Sequence, residues 1–175
     1  MPVRYYKYDK PFALENGERL PELQIAYHTY GKFKGNNAIW VCHALTANSD
    51  VADWWPRTVE QGRFLDPRRY YVVCANVIGS HYGSTGPLSV NPATGKPYYG
   101  SFPFITVRDM VNAHLLLADH LGVGSVRAVI GSSIGGFQAL EMALARPGFA
   151  ERLALIATAA RSQPWPIAFN ESQRM

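Results

Sequence analysis

Two cysteines in 175 residues, Cys42 and Cys74, are too few for a disulfide framework, and each sits inside an apolar run. They are expected to be buried free thiols, which suits a cytoplasmic protein. Long hydrophobic runs are missing too. The longest, Leu153 to Ala160 with Thr158 inside it, falls far short of the roughly 18 residues of a membrane span. The charged start, Arg4 to Lys7, has no apolar stretch behind it, so no secretory leader is expected. Basic clusters are absent: 17 Lys and Arg and 13 Asp and Glu are scattered, leaving a net charge of +4. That pattern argues against a nucleic-acid or membrane partner. Neither an H-E-x-x-H motif nor paired C-x-x-C occurs, so no metal is expected. Gly95-Lys96 lacks the rest of a phosphate loop, and Gly122-Val123-Gly124 lacks the third glycine of a dinucleotide fingerprint. What remains is an ordinary globular composition, 47% hydrophobic and 17% charged, with no internal repeat.

Strand signals come first along the chain: Glu22 to Thr29, Ala38 to Cys42, and Tyr70 to Val77. The last two are nearly continuous apolar runs, as expected of strands covered on both faces. From Thr106 the period turns helical, with Val107, Met110, Val111, Leu115, Ala118 and Leu121 on one stripe. Thr106 and Asp109 have capping-box spacing, and Gly122 stands where a C-terminal cap belongs. A strand (Val126 to Ile130), a helix (Ile134 to Ala145, stopped by Pro147) and a strand (Leu153 to Ala157) follow. Such alternation predicts an α/β fold, a mostly parallel sheet with helices on both faces. Between Val77 and Thr106 lies a long Gly-, Ser-, Pro- and Asn-rich loop with Tyr82, Tyr98, Tyr99, Phe102 and Phe104 as possible anchors. It reads equally as an excursion over the sheet edge or as a substrate-contacting loop.

Gly131-Ser132-Ser133-Ile134-Gly135 matches G-x-S-x-G. By chance the pattern arises in about one chain of this length in twenty. Here it follows a buried strand directly and opens a helix directly, the context a nucleophile elbow requires. A sharp strand-to-helix turn lifts the Ser133 hydroxyl above the sheet, and the glycines let neighbouring backbone pass without Cβ clashes. The oxyanion donors are then the Ile134 N–H and an N–H in His43-Ala44-Leu45-Thr46, the loop after the strand ending at Cys42. His43 is read as a structural residue rather than a base. Trp54-Trp55 could line an acyl pocket or belong to an aromatic core.

Several segments together resemble homoserine O-acetyltransferase, a family of the α/β-hydrolase superfamily: His43 to Thr46, Asp53-Trp54-Trp55, the run Gly83 to Tyr98, Phe102-Pro103, Thr106 to Val111, the elbow, and Ala168 to Arg174. The resemblance runs from about Phe12 to the last residue and matches the N-terminal part of the family pattern. The elbow departs from it in having Ser132 and Ile134 where the family usually has Gly and Met, which removes neither the hydroxyl nor a backbone N–H. The resemblance implies transfer of an acetyl group from acetyl-CoA to the hydroxyl of L-homoserine in methionine biosynthesis, through a Ser133 acyl-enzyme with Leu45 and Ile134 as oxyanion donors. It implies acetyl-CoA as a substrate rather than a bound cofactor, and a homodimer for the complete enzyme. Succinyl donation is a variant, and substrate-binding residues are not identified.

In the superfamily the triad runs Ser, then Asp or Glu, then His. Here all five histidines (His28, His43, His81, His114, His120) precede Ser133, and the acids after it are Glu141, Glu151 and Glu171. Residues 1–175 are therefore expected to be the N-terminal portion of a single α/β-hydrolase domain, incomplete at its C-terminal side, without lid, acid and histidine, and inactive alone. An esterase or thioesterase on the same fold and a truncated, non-catalytic product are the alternatives. Should an upstream base serve instead, His81 in the Gly-rich loop is the candidate.

Overall fold

Short apolar runs bounded by turn residues become the strands of one central sheet in the computed structural model, which describes residues 1–175. In chain order the elements are β1 (Arg4–Tyr8), a small hairpin of β2 (Phe12–Ala13) and β3 (Arg19–Leu20), β4 (Leu23–Tyr30), β5 (Ala38–Cys42), α1 (Val51–Trp54) and β6 (Tyr71–Ala75). A second hairpin, β7 (Val90–Asn91) and β8 (Lys96–Pro97), precedes α2 (Val107–His120), β9 (Ala128–Ser132), α3 (Ile134–Ala145), β10 (Leu153–Ile156) and α4 (Pro164–Ser172). The spatial order is β1-β4-β6-β5-β9-β10. The strands from β6 to β10 in that order run parallel, whereas β4 is antiparallel to both β1 and β6. The sheet is thus mostly parallel, as expected, with an antiparallel edge that the apolar pattern did not distinguish. Strand β1, Arg4-Tyr5-Tyr6-Lys7-Tyr8, escaped the sequence reading because an edge strand with one wet face carries little apolar signal.

Side-chain alternation divides the core in two. Trp40, Cys42, Val73, Ala75 and Val129 point to the face covered by α2 and α3, where Leu117, Ala139 and Met142 meet them. Ile39, Val41, Val72, Cys74 and Ile130 point to the other face, covered by Val51 of α1 and by Leu65 in the loop that follows. Cys42 and Cys74 are buried free thiols on opposite faces. Helix α2 starts where its capping box lies: the Thr106 hydroxyl accepts the Asp109 N–H, and the Asp109 carboxylate accepts the Thr106 N–H at 3.0 Å. No helix is long and apolar enough to cross a membrane.

The long loop is built into the sheet edge. Beyond the end of β6 the N–H groups of Gln24 and Ala26 on β4 have no strand to pair with, and the loop supplies side chains instead. Thr85 Oγ1 accepts the Gln24 N–H at 2.8 Å, and Ser84 Oγ accepts the Ala26 N–H at 3.0 Å while donating to the Asn76 carbonyl at 2.6 Å. Gly83, at φ 94°, and Gly86, packed on the Ser80 carbonyl, let the chain pass this close. Of the two readings of the loop, the structural one accounts for Gly83-Ser84-Thr85-Gly86.

His114 of α2 is fully buried beside Trp40, with neither ring nitrogen hydrogen-bonded. Burial, with a smaller contribution from His43, pushes its pKa down to about 3. The unfolded imidazole titrates near its ordinary 6.5, so below that pH the unfolded chain binds the extra proton. Stability is therefore expected to fall as pH drops from about 6.5 toward 3, by up to about 1.4 kcal/mol per pH unit for this one group. Urea unfolding of His114→Leu should show a shallower acid limb than the parent, and an unchanged limb would place the acid sensitivity elsewhere.

Strand β10 pairs with β9 on one side only and leaves Leu155 41% and Ile156 44% exposed. An uncharged edge of this kind templates association. Residues 1–175 should self-associate in sedimentation velocity, and Leu155→Lys, which charges the edge, should shift them toward monomer; equal association of both would exonerate this edge.

Candidate active site

Ser133 occupies the turn between β9 and α3 at φ 54°, ψ −122°, a conformation that L-residues avoid. Three backbone approaches over-determine it. The Ser133 N–H donates to the Ile156 carbonyl of β10 at 3.0 Å, which fixes the turn from the neighbouring strand. A Cβ at Gly131 would collide with the Gly135 carbonyl, and a Cβ at Gly135 would collide with the carbonyl oxygen of Cys42 at the end of β5. The third glycine, Gly136, leaves room for Thr158. The result is an exposed serine hydroxyl with no hydrogen-bond partner, standing above the parallel strands. Ile134 is the first residue of α3, so its N–H has no intrahelical acceptor and faces outward with the helix dipole behind it.

The second expected donor lies on the loop after β5. Leu45 and Thr46 form the tip of a tight turn closed by the Ala47 N–H on the Ala44 carbonyl at 3.0 Å, and the Leu45 N–H has no acceptor within the chain. Leu45 itself is 72% exposed, so the residue is kept in place by its backbone rather than by packing. Below it, His43 is buried and clamps two loops together. Its Nδ1–H donates to the Ala44 carbonyl at 2.8 Å, and its Nε2 accepts the Val77 N–H at 3.3 Å. That pattern requires a neutral ring, and burial lowers its pKa in the same sense. His43 is a structural residue here, as read from the sequence.

A feature the sequence did not reveal lies further along the same loop. Ser49 Oγ is 2.8 Å from His28 Nδ1, and His28 Nε2 lies 3.8 Å from Asp50, a Ser-His-Asp grouping in outline. Ser49 is wholly buried, accepts from Asn76 Nδ2 at 3.0 Å, and donates its N–H to Asn76 Oδ1 at 2.7 Å. No acyl group reaches such a hydroxyl. The grouping fastens loop 43–50 to β4 and to the turn after β6, and Tyr30 donates to Asp50 to complete it. No signal in the sequence joins residues 28, 49 and 76, since only the sheet order brings them together.

Two cavities flank the elbow. One, of about 230 Å³, is lined by Trp54, Trp55, Val41, Ile130, Ser132 and Ile156 on the α1 side of the sheet. Trp54 is held by its Nε1–H on the Asn48 carbonyl at 2.7 Å and stacks on Trp55 at 5.7 Å between centroids. The other, of about 380 Å³, is lined by Ser133 itself, together with Phe137, Thr158, Arg161, Gln163 and Asn170. His81 lines neither. It stacks on Tyr82 and borders a separate cavity with Gln24 and Ser80, so the structure does not bring it to Ser133. Glu141 is engaged with Arg108 at 2.6 Å and Glu151 with Arg152 at 3.0 Å. No group of three His, Cys, Asp or Glu side chains is placed to hold a metal ion.

A family model described as the alpha/beta hydrolase fold matches residues 37–175, a span that holds both the elbow and the β5 loop. The chain belongs to this family. The homoserine O-acetyltransferase of Moorella thermoacetica is 49% identical over 98% of this chain and 49% of its own length. That of Nostoc punctiforme is 44% identical over 98% of this chain and 49% of its own. Among solved structures, esterase E22 superposes with a TM-score of 0.88 at 30% identity over 98% of this chain and 51% of that one. The homoserine O-acetyltransferase of Bacillus anthracis superposes with a TM-score of 0.84 at 29% identity, over 94% and 49%. The chain thus spans about half the length of the curated relatives it matches.

As in other α/β hydrolases, the elbow tolerates no side chain where its backbones cross. Gly135→Ala should therefore cost about 1–3 kcal/mol by urea unfolding, because the carbonyls it meets, that of Cys42 ending β5 and that of His43 directly after it, are backbone and cannot yield cheaply. Gly124→Ala, with open space around it, should stay within about 0.5 kcal/mol of the parent. Equal costs for the two would mean that the crossing is looser than the geometry described.

Proposed function

We propose that Ser133 is the nucleophile of an acyl transfer that moves an acetyl group from acetyl-CoA to the hydroxyl of L-homoserine. The observation that carries this reading is the exposed, strained Ser133 at the strand-to-helix turn, followed directly by Ile134, whose N–H opens α3; Leu45, whose N–H has no acceptor within the chain, is the proposed second donor. The choice of substrates is supported by the 49% identity to the Moorella thermoacetica enzyme. In the first half-reaction Ser133 Oγ attacks the thioester carbonyl, its proton passes to a base, and collapse of the tetrahedral intermediate breaks the C–S bond and releases the thiol of coenzyme A. In the second the homoserine hydroxyl gives its proton to the base as it attacks the acyl-enzyme, and the Oγ–C bond breaks as the base passes that proton to Ser133 Oγ. Ile134 and Leu45 hold the oxyanion in both, and removing one such donor elsewhere costs about 3–4 kcal/mol of transition-state stabilisation.

We place the base outside residues 1–175. The histidines all lie before Ser133 in the chain and none is bonded to it, whereas the superfamily places acid and histidine after the nucleophile. Residues 1–175 on their own should leave Ser133 an ordinary hydroxyl, inert to a fluorophosphonate probe at neutral pH. Rapid stoichiometric labelling of that polypeptide would expose a base within it, with His81 the first to substitute. In the full gene product, acetyl-CoA:homoserine transfer should fall by about 10³-fold or more in Ser133→Ala. Transfer that survives the substitution would overturn the mechanism. Hydrolysis is the second reading, favoured by the close superposition on esterase E22. Product analysis separates them, since free acetate regardless of added homoserine identifies an esterase.

A further inference from the structure

Leu45, the proposed second oxyanion donor, lies in a stretch without buried residues: from Ala44 to Asn48 every residue is half-buried or exposed. The buried residues on either side, His43 and Ser49, both reach across to the two residues that follow β6. His43 Nε2 accepts the Val77 N–H at 3.3 Å, which is long for a hydrogen bond. The contact of Ser49 with Asn76 is shorter and reciprocal. Asn76 Oδ1 accepts the Ser49 N–H at 2.7 Å, and Asn76 Nδ2 donates to Ser49 Oγ at 3.0 Å, which leaves the Ser49 hydroxyl free to donate to His28 Nδ1 at 2.8 Å. Asn76 is 2% exposed, and its remaining polar groups are engaged as well. Nδ2 also donates to the Tyr82 carbonyl at 2.8 Å, the N–H donates to the Ala26 carbonyl at 2.8 Å, and the carbonyl accepts from Ser84 Oγ at 2.6 Å. One residue thus ties loop 43–50 to β4 and to the Gly-rich loop after β6.

We propose that Asn76 is a positioning residue of the Ser133 site, holding the Leu45 N–H in register with the Ile134 N–H through its grip on Ser49. The proposal rests on Ser133 as nucleophile and Leu45 as donor, and names what fixes the one relative to the other. The two donors are held independently. Ile134 is placed by the elbow, where Gly135 meets the Cys42 carbonyl, whereas Leu45 has only the ends of its loop. Stability alone does not require a buried amide, because apolar partners of the same shape can be nearly neutral in its place. What the amide adds is direction: it accepts the N–H and donates to the hydroxyl of one residue, so the loop fits in a single setting. Oxyanion donors act through preorganisation, and a misplacement of about 1 Å costs up to about 100-fold in rate. Asn76 is buried behind the loop, so its loss should be felt in the transition state rather than in substrate binding.

The test uses the full gene product, acetyl-CoA consumption, and two inhibitors, the trifluoromethyl ketone analogue of acetyl-CoA and its methyl ketone counterpart. Ser133 Oγ adds to the activated ketone: a C–O bond forms, the carbonyl pair becomes an oxyanion, and the hydroxyl proton passes to the base. The methyl ketone binds without addition. Asn76→Ala should lower kcat/KM by about 10–100-fold and weaken the trifluoromethyl ketone by a similar factor, with the methyl ketone within about threefold. Ser49→Ala keeps its N–H on Asn76 and loses only the hydroxyl, so its effect should be smaller in the same direction. The double variant should resemble Asn76→Ala rather than multiply the two. Thr85→Ala strips another buried hydrogen bond, that to the Gln24 N–H, without touching loop 43–50, and should lose stability while staying within about threefold of the parental rate. Parental rates in both Asn76→Ala and Ser49→Ala, equal weakening of the two ketones, or an equal loss of rate in Thr85→Ala overturns the proposal. Should Asn76→Ala not fold, the ratio of the two ketone affinities in Ser49→Ala decides: a lowered ratio supports the proposal and a parental one overturns it. The acyl-transfer reading fails by a different result, transfer that is indifferent to Ser133→Ala, and takes the proposal with it.

Discussion

The site depends on one close approach of backbone to backbone, where Gly135 at the start of α3 meets the carbonyls of Cys42 and His43 at the end of β5. That contact sets the separation of the two expected oxyanion donors, because Ile134 immediately precedes Gly135 and Leu45 follows His43 by two residues. It also explains how a serine is kept at φ 54°. A non-glycine residue there costs about 1–3 kcal/mol. The cost is met because β9 is paired on both sides, with β5 and with β10, and α3 packs Ala139 and Met142 into the main core. A strained turn persists when the elements on either side of it cannot both relax. Ala157, at φ 49° just beyond β10, shows that the strand holding the Ser133 N–H is itself bent at the same level.

Polar side chains do for loop 43–50 what sheet pairing does for the elbow. The loop that carries the proposed Leu45 donor gains little from burial, since Leu45 and Thr46 are exposed. Its order comes from its ends, through His43 on Val77 and Ser49 on Asn76 and His28. Buried hydrogen bonds of this kind are modest in net energy, about 1 kcal/mol each, but expensive to leave unmade. They therefore select one loop conformation more than they add to stability, and preorganisation of donors is what oxyanion stabilisation demands.

What the sequence made legible was whatever local chemistry determines. Helix α3 spans Ile134–Ala145 and strand β5 spans Ala38–Cys42 as read, and the capping box at Thr106 is present, because each rests on residues a few positions apart. Gly131, Ser133 and Gly135 could be assigned roles for the same reason. Less was visible where partners are distant in sequence. The antiparallel placement of β4 was hidden, since a fully buried strand has the same apolar run in either direction. The purpose of Ser84 and Thr85 depends on Gln24 and Ala26, about sixty positions earlier, and a Gly/Ser-rich loop looks alike whether it serves a ligand or a sheet edge. Short elements such as α1 and the two hairpins carry too few residues for any period to emerge.

The strand order accounts for the position of the crevice. After β5 the chain passes to β6 on one side of it, then crosses to β9 on the other. The β5 loop leads to α1 on one face of the sheet, and the β9 loop leads to α3 on the opposite face. Neighbouring parallel strands whose following loops diverge in this way open a gap at their C-terminal ends, the topological switch point at which α/β sheets bind ligands. Leu45 follows β5 whereas Ser133 and Ile134 follow β9, so the two proposed donors belong to loops after neighbouring strands rather than to one loop. The acid–base partner has no such constraint. It need only reach the exposed hydroxyl from above, so in the proposed mechanism the oxyanion donors lie within residues 38–145 and proton transfer can come from a different stretch of polypeptide.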